Sequence, residues 1–132
     1  MNTITKLAET FGGTFEHLDD ISIPVLTGLQ RQGDVLVVPM RAGQIAGLQP
    51  VPREGVAVIR GENGGNTHLL VADGDVQFAP SKGRQRLGSL LVGEGAVAYL
   101  THPEHGFNAI GTGSYSITRQ REQAEEIRIM AD

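Results

Sequence analysis

Two short stretches of this sequence hold side chains that could do chemistry together. They are Gly61-Glu62-Asn63-Gly64-Gly65-Asn66-Thr67-His68 and His102-Pro103-Glu104-His105-Gly106. Between them they carry three of the chain's four histidines, set among glycines and a proline that force irregular backbone. His68, His102 and His105 with Glu62 or Glu104 form a nitrogen-and-oxygen donor set suited to Zn²⁺, Fe²⁺, Mn²⁺ or Ni²⁺. On a straight strand His102 and His105 would point to opposite faces, but Pro103 breaks the strand and lets them converge. The spacing is neither the helical H-E-x-x-H zinc pattern nor the usual string of two histidines and a carboxylate. The alternative is that the same side chains satisfy backbone groups in two glycine-rich turns.

A second group is Arg119-Gln120-Arg121-Glu122. On a strand Arg119 and Arg121 share one face, where two forks could take one carboxylate or phosphate. The competing reading is an edge strand kept soluble by charge, with Arg121 paired to Glu94, Glu125 or Glu126. Gly111-Thr112-Gly113 lacks the lysine and following helix of a phosphate loop, and a turn between strands explains it. With no cysteine, thiolate metal sites and disulfides are excluded. No serine has a recognisable elbow, and neither lysine lies in the two polar stretches.

The elements that would position these groups are strands. Eighteen glycines, spread between apolar runs, punctuate strands rather than helices. Val35–Pro39 is a continuous apolar run ended by proline, as a strand buried on both faces reads. Val56–Arg60, Thr67–Ala72, Val76–Ala79, Leu90–Val92, Ala96–Thr101 and Ser114–Arg121 follow, with Tyr115 and Ile117 on one face of the last. Asp73-Gly74 and Gly93-Glu94-Gly95 are hairpin signals. Thr14–Leu18 suits a further short strand, with His17 as a surface or packing residue. Ala42–Leu48 is a weaker segment, and Ala124–Met130 suits either a strand or one helical turn. Lys82, Arg84 and Arg86 read as a solvated turn. Ile4, Leu7, Ala8 and Phe11 predict a short helix ended by Gly12-Gly13. The expectation is a single all-β domain over 1–132. It has about eight short strands in an antiparallel barrel or sandwich, a helix within 1–12 and a β core over 32–130.

Taken in order, several of these words resemble a family of small bacterial and phage proteins of uncharacterised function. Its pattern runs Q-G-D-V, G-E-x-T-G-H-x-H, H-x-E-H, G-x-Y-x-V, then R-Q-R-E-Y and I-R-x-x-x-D. Here Gln32–Val35 match the first word, and Gly61, Glu62, Gly65 and His68 the second. His102, Glu104 and His105 match the third, and Gly113 and Tyr115 the fourth. Arg119–Glu122, Ile127, Arg128 and Asp132 match the last. Asn66 stands where the family has the first histidine of G-H-x-H, and Gln123 where it has tyrosine. If the family site is a multi-histidine metal centre, this chain has lost a ligand there, because asparagine replaces imidazole poorly. The resemblance places a site without supplying a reaction, so whether the chain is an enzyme stays open.

Two functions fit the sequence. One is a site for a divalent transition metal or small ligand at the rim, built from His68, His102, His105, Glu62 and Glu104. In it Asn66, Tyr115, Arg119, Gln120 and Arg121 play supporting roles. The other is a non-catalytic module that binds protein or its own copies, in which those residues only lock loops. Apolar strands in a small domain predict a homo-oligomer, most simply a dimer. A net charge of −4 argues against a nucleic-acid partner. No run reaches the ~20 apolar residues of a membrane span, and no signal-peptide layout opens the chain, so the expected compartment is the cytosol.

Overall fold

The structure, a computed structural model, describes residues 23–41, 45–60, 67–81 and 86–120. The expected helix at Ile4–Phe11, the segment Thr14–Leu18, and Glu62, Asn66, Arg121 and the tail after it lie outside these residues. Among the described residues the regular structure is strand, without a helix: β1 (Val25–Leu26), β2 (Gln30–Gln32), β3 (Val35–Met40), β4 (Gln49–Pro50), β5 (Val56–Ile59), β6 (His68–Asp73), β7 (Val76–Pro80), β8 (Arg86–Val92), β9 (Val97–His102), β10 (Gly106–Ile110) and β11 (Gly113–Arg119).

These strands form two sheets facing each other, a sandwich and not a closed barrel. One sheet runs β1-β10-β9-β6-β5 and the other β2-β3-β11-β8-β7-β4. All pairings are antiparallel except β1 on β10. Alternation decides what lies between the sheets. Leu70 on β6, Ala98 and Leu100 on β9, and Ile110 on β10 meet Val35, Val37, Phe78, Leu90, Val92, Tyr115 and Ile117 from the other sheet. The expectation that β3 is buried equally on both faces is corrected: Val35 and Val37 are fully enclosed, while Leu36 and Val38 are half-buried. Arg86, expected in a loop, opens β8.

The two expected hairpins are also corrected. Asp73-Gly74 carries the chain from β6 to β7, and Gly93–Gly95 from β8 to β9, and each passage changes sheet. Both neighbours of β6 are already taken, by β5 and β9, so the turn after it must deliver its next strand elsewhere. The two corners pack on one another, with the Gly93 amide donating to the Asp75 carbonyl at 2.8 Å. A Cβ on Gly93 would lie 2.8 Å from an Asp75 carboxylate oxygen. The tight hairpins lie at the opposite end of the sandwich. Gly33-Asp34 joins β2 to β3, and Pro103–His105 joins β9 to β10. Gly33 at φ 57° and Gly106 at φ 81° supply the left-handed residues these turns need.

Side-chain amides close the gap between the sheets beside this end. The edge strand β2 belongs to the second sheet, yet Gln30 and Gln32 are buried against the first. Gln30 Nε2 donates to the Ala109 carbonyl at 3.2 Å, and Gln32 Nε2 to the Leu100 carbonyl at 2.7 Å. Asn108 on β10 links the pair, donating to Gln30 Oε1 at 3.3 Å and accepting from Gln32 at 3.0 Å.

A histidine cluster at the mouth of the sandwich

His68 and His102 continue rows of inward-facing side chains. His68 precedes Leu70 by two residues on β6, and His102 follows Leu100 by two on β9, so each imidazole ends a core row. The register does the rest. Leu69 pairs with Thr101, which puts His68 opposite His102 one residue further along. Their ring centroids are 4.4 Å apart, and both side chains are about 94 % enclosed, with 6 % exposed. His105 comes from the Pro103–His105 turn and is exposed. Its ring lies 4.5 Å from that of His102 and 6.4 Å from that of His68, nearly parallel to the latter at 12°. It lies against Gly33, where a Cβ would come within 2.8 Å of its Cδ2 and Nε2. Only the bare backbone of glycine leaves the ring that position.

Hydrogen bonds assign each imidazole a form. Gln32 Nε2 faces the carbonyls of Leu100 and Gly106, at 2.7 and 3.1 Å, and carbonyls only accept. The amide orientation is therefore fixed, and Gln32 Oε1 must accept from His68 Nδ1 at 2.9 Å. So Nδ1 of His68 carries the proton, and its Nε2 presents a lone pair. His102 is the reverse. Its Nδ1 receives the backbone N–H groups of Glu104 at 3.0 Å and His105 at 3.2 Å, so its proton is on Nε2. His102 thus pins the turn that carries His105, as an aspartate or asparagine does in an Asx turn.

Burial, then the neighbouring His102 and His105, lower the His68 pKa to about 4, while Asp34 pulls the other way. His68 is accordingly a neutral imidazole at physiological pH. That is the form in which Nε2 accepts a hydrogen bond or binds a metal. An imidazole that ligates through Nε2 needs its Nδ1 to donate. His68 meets this requirement, and His102 fails it because two N–H groups already point at its Nδ1. Among the described residues, no three histidine, aspartate or glutamate side chains converge closely enough to hold an ion by themselves.

The other expected residues fall as follows. Glu104 is exposed, and it is its backbone amide, not its carboxylate, that orients an imidazole. Gln120 stands beside the cluster's turn: its amide donates to the Asp34 carbonyl at 2.7 Å, and its Oε1 accepts from Arg31 at 3.4 Å. Arg119 pairs with Val35 at the end of β11. Tyr115 is a core residue toward the opposite end, donating to the Gly111 carbonyl at 2.8 Å, and it does not join the histidines. Gln32 is the residue that sequence reasoning missed as a site member. Its place in the Q-G-D-V word was the only signal, and nothing local marks a glutamine as buried.

Residues 31–120 match a family described as a domain of unknown function, DUF8820, so every described member of the cluster lies within the match. No curated protein and no solved structure matches the chain.

Proposed function

The chain belongs to the DUF8820 family, a domain of unknown function, and from the geometry of its histidine cluster we propose that it is a binding module for a divalent transition metal. His68 Nε2 and the His105 imidazole are the ligands, His102 is the strut that holds the His105 turn, and Gln32 orients His68. The observation that carries this is the Gln32–His68 bond, which leaves a neutral, enclosed imidazole with its ligating nitrogen unprotonated. A metal–nitrogen bond of about 2.0–2.1 Å puts each ring centroid roughly 3.2 Å from the ion. Two rings on one ion then lie about 5.2 Å apart in a tetrahedral site and at most about 6.4 Å. The 6.4 Å separation of His68 and His105 is at that upper limit, so a tetrahedral ion requires the exposed His105 ring to move about 1 Å closer on binding. The remaining coordination positions go to water or an exogenous ligand. No transmembrane role enters this reading, and among the described residues no helix is long and apolar enough to cross a membrane.

The test is titration of tag-free, chelator-stripped protein with Co²⁺ and Zn²⁺, followed by calorimetry and by the cobalt absorption bands. Binding at a Kd of about 1–100 μM is expected, with His68→Ala and His105→Ala each weakening it at least tenfold. His102→Asn keeps it within about threefold, since the asparagine oxygen can take over the turn amides. Failure to bind either metal below about 1 mM, or equal loss from all three substitutions, would overturn the assignment.

A second reading, an interaction module, rests on a different observation. Val25, Leu26 and Leu29 are exposed at 49, 48 and 66 %, beside β1 at the edge of its sheet. Such an edge invites pairing with another copy. Sedimentation equilibrium at tens of micromolar (about the range of weak dimers) should show a dimer that Leu26→Ser with Leu29→Ser dissociates, and a monomer in both would remove this reading.

A further inference from the structure

The chain leaves β3 at Met40 and returns to the same sheet at its far edge as β4, beyond β11, β8 and β7 in the strand order. Ile45 and Ala46, which precede β4, line a cleft of about 390 Å³ together with Met40, Ala79 and Ser89 on the sheet. Alternation places Ser89 and Ala79 on the face away from the core, because Leu90 and Phe78 beside them point inward. The two are register partners across β7 and β8. Arg41, Arg86, Pro80 and Ser81 line it too, and both arginines are exposed.

Two features distinguish this cleft from an ordinary surface furrow. Its volume lies in the range of small-ligand pockets, about 300–1,000 Å³. Its described lining contributes two guanidinium groups and no carboxylate, in a chain whose net charge is −4. Among the described residues neither arginine forms an ion pair. Ser89, only 7 % exposed, lines the cleft as well.

We propose that this cleft is a second binding site, for a small organic anion with a short apolar body, carboxylate or phosphate monoester in its head group. The guanidinium forks of Arg41 and Arg86 take the anionic head, Ser89 donates to it, and Met40, Ile45 and Ala79 cover the hydrocarbon. The site is independent of the histidine cluster, which is built on other strands and other turns.

The experiment is an amide-resonance titration of the intact protein with octanoate, octyl phosphate and, as the uncharged control, octanol. Saturable shifts centred on Ile45, Ala79 and Ser89 are expected with at least one anion, at least tenfold tighter than with octanol. Arg41→Gln and Arg86→Gln should each weaken that binding at least fivefold while leaving the rest of the spectrum in place. Since both arginines are exposed, the folded spectrum itself reports that the variants are intact. His68→Ala should leave the anion affinity unchanged, which separates this site from the proposed metal site. No saturation by either anion up to 10 mM (on the order of the weakest specific binding), equal affinity for octanol, or indifference to both arginine substitutions would overturn the proposal.

Discussion

Replacing Gln32 with methionine tests the arrangement of the histidine end at its hub. Methionine keeps the unbranched shape and nearly the volume of glutamine, so packing is conserved and the polar groups alone are lost. The side chain is 2 % exposed and makes four bonds: to the Leu100 and Gly106 carbonyls, to Asn108 Oδ1, and from His68 Nδ1. A net hydrogen bond contributes about 1 kcal/mol, and a buried donor left unpaired costs about 1–3 kcal/mol. The carbonyls keep a second lone pair for other partners, so the main uncompensated group is His68 Nδ1–H. The expected loss is roughly 3 kcal/mol, which corresponds to about 10–15 °C in midpoint for a domain of this size. Urea unfolding followed by circular dichroism gives the first number. Imidazole nitrogen shifts give the second readout: His68 should be the Nδ1–H form in the parent protein and lose that preference in Gln32→Met. A variant within about 0.5 kcal/mol of the parent, with the His68 tautomer unchanged, would refute the claim that Gln32 fixes this imidazole.

His102→Ala should cost about 2 kcal/mol, because the Glu104 and His105 amides lose their acceptor, whereas His102→Asn should cost under about 1 kcal/mol; chemical denaturation of both separates strut from ligand. The His68 pKa falls from 6.5 unfolded to about 4 folded, so between those values the unfolded chain takes up a proton the folded chain refuses. Stability is therefore complete above pH 6.5 and is lost as pH drops toward 4, by on the order of 2 kcal/mol after solvent screening. Metal-free His68→Gln should show a flatter stability–pH curve over that window. Gly88→Ala should destabilise by roughly 2–4 kcal/mol, since its Cβ would clash with the Phe78 ring and lie 2.8 Å from the Ala79 carbonyl; thermal unfolding measures it, and a neutral result would mean that β7 and β8 can part without cost.

The sequence determined the strand class and singled out the histidines that the fold brings together. Short apolar runs with glycine and proline between them admit little but strands, because side-chain alternation and turn preference are local properties of the chain. For the same reason the histidine words could be picked out, and Pro103 could be read as the break that turns His105 back. Strand partnership is not local. Asp73-Gly74 reverses the chain, as its residue types require, but whether the next strand joins the same sheet depends on whether an edge of β6 is free, and β9 had taken it. That same long-range pairing puts His68 opposite His102. It also puts Gln32, 36 residues from His68 in sequence, in hydrogen-bond contact with its ring. Neither imidazole's proton can be assigned without those partners. Which histidine offers a lone pair and which holds a turn was therefore decided only when the two sheets closed on each other.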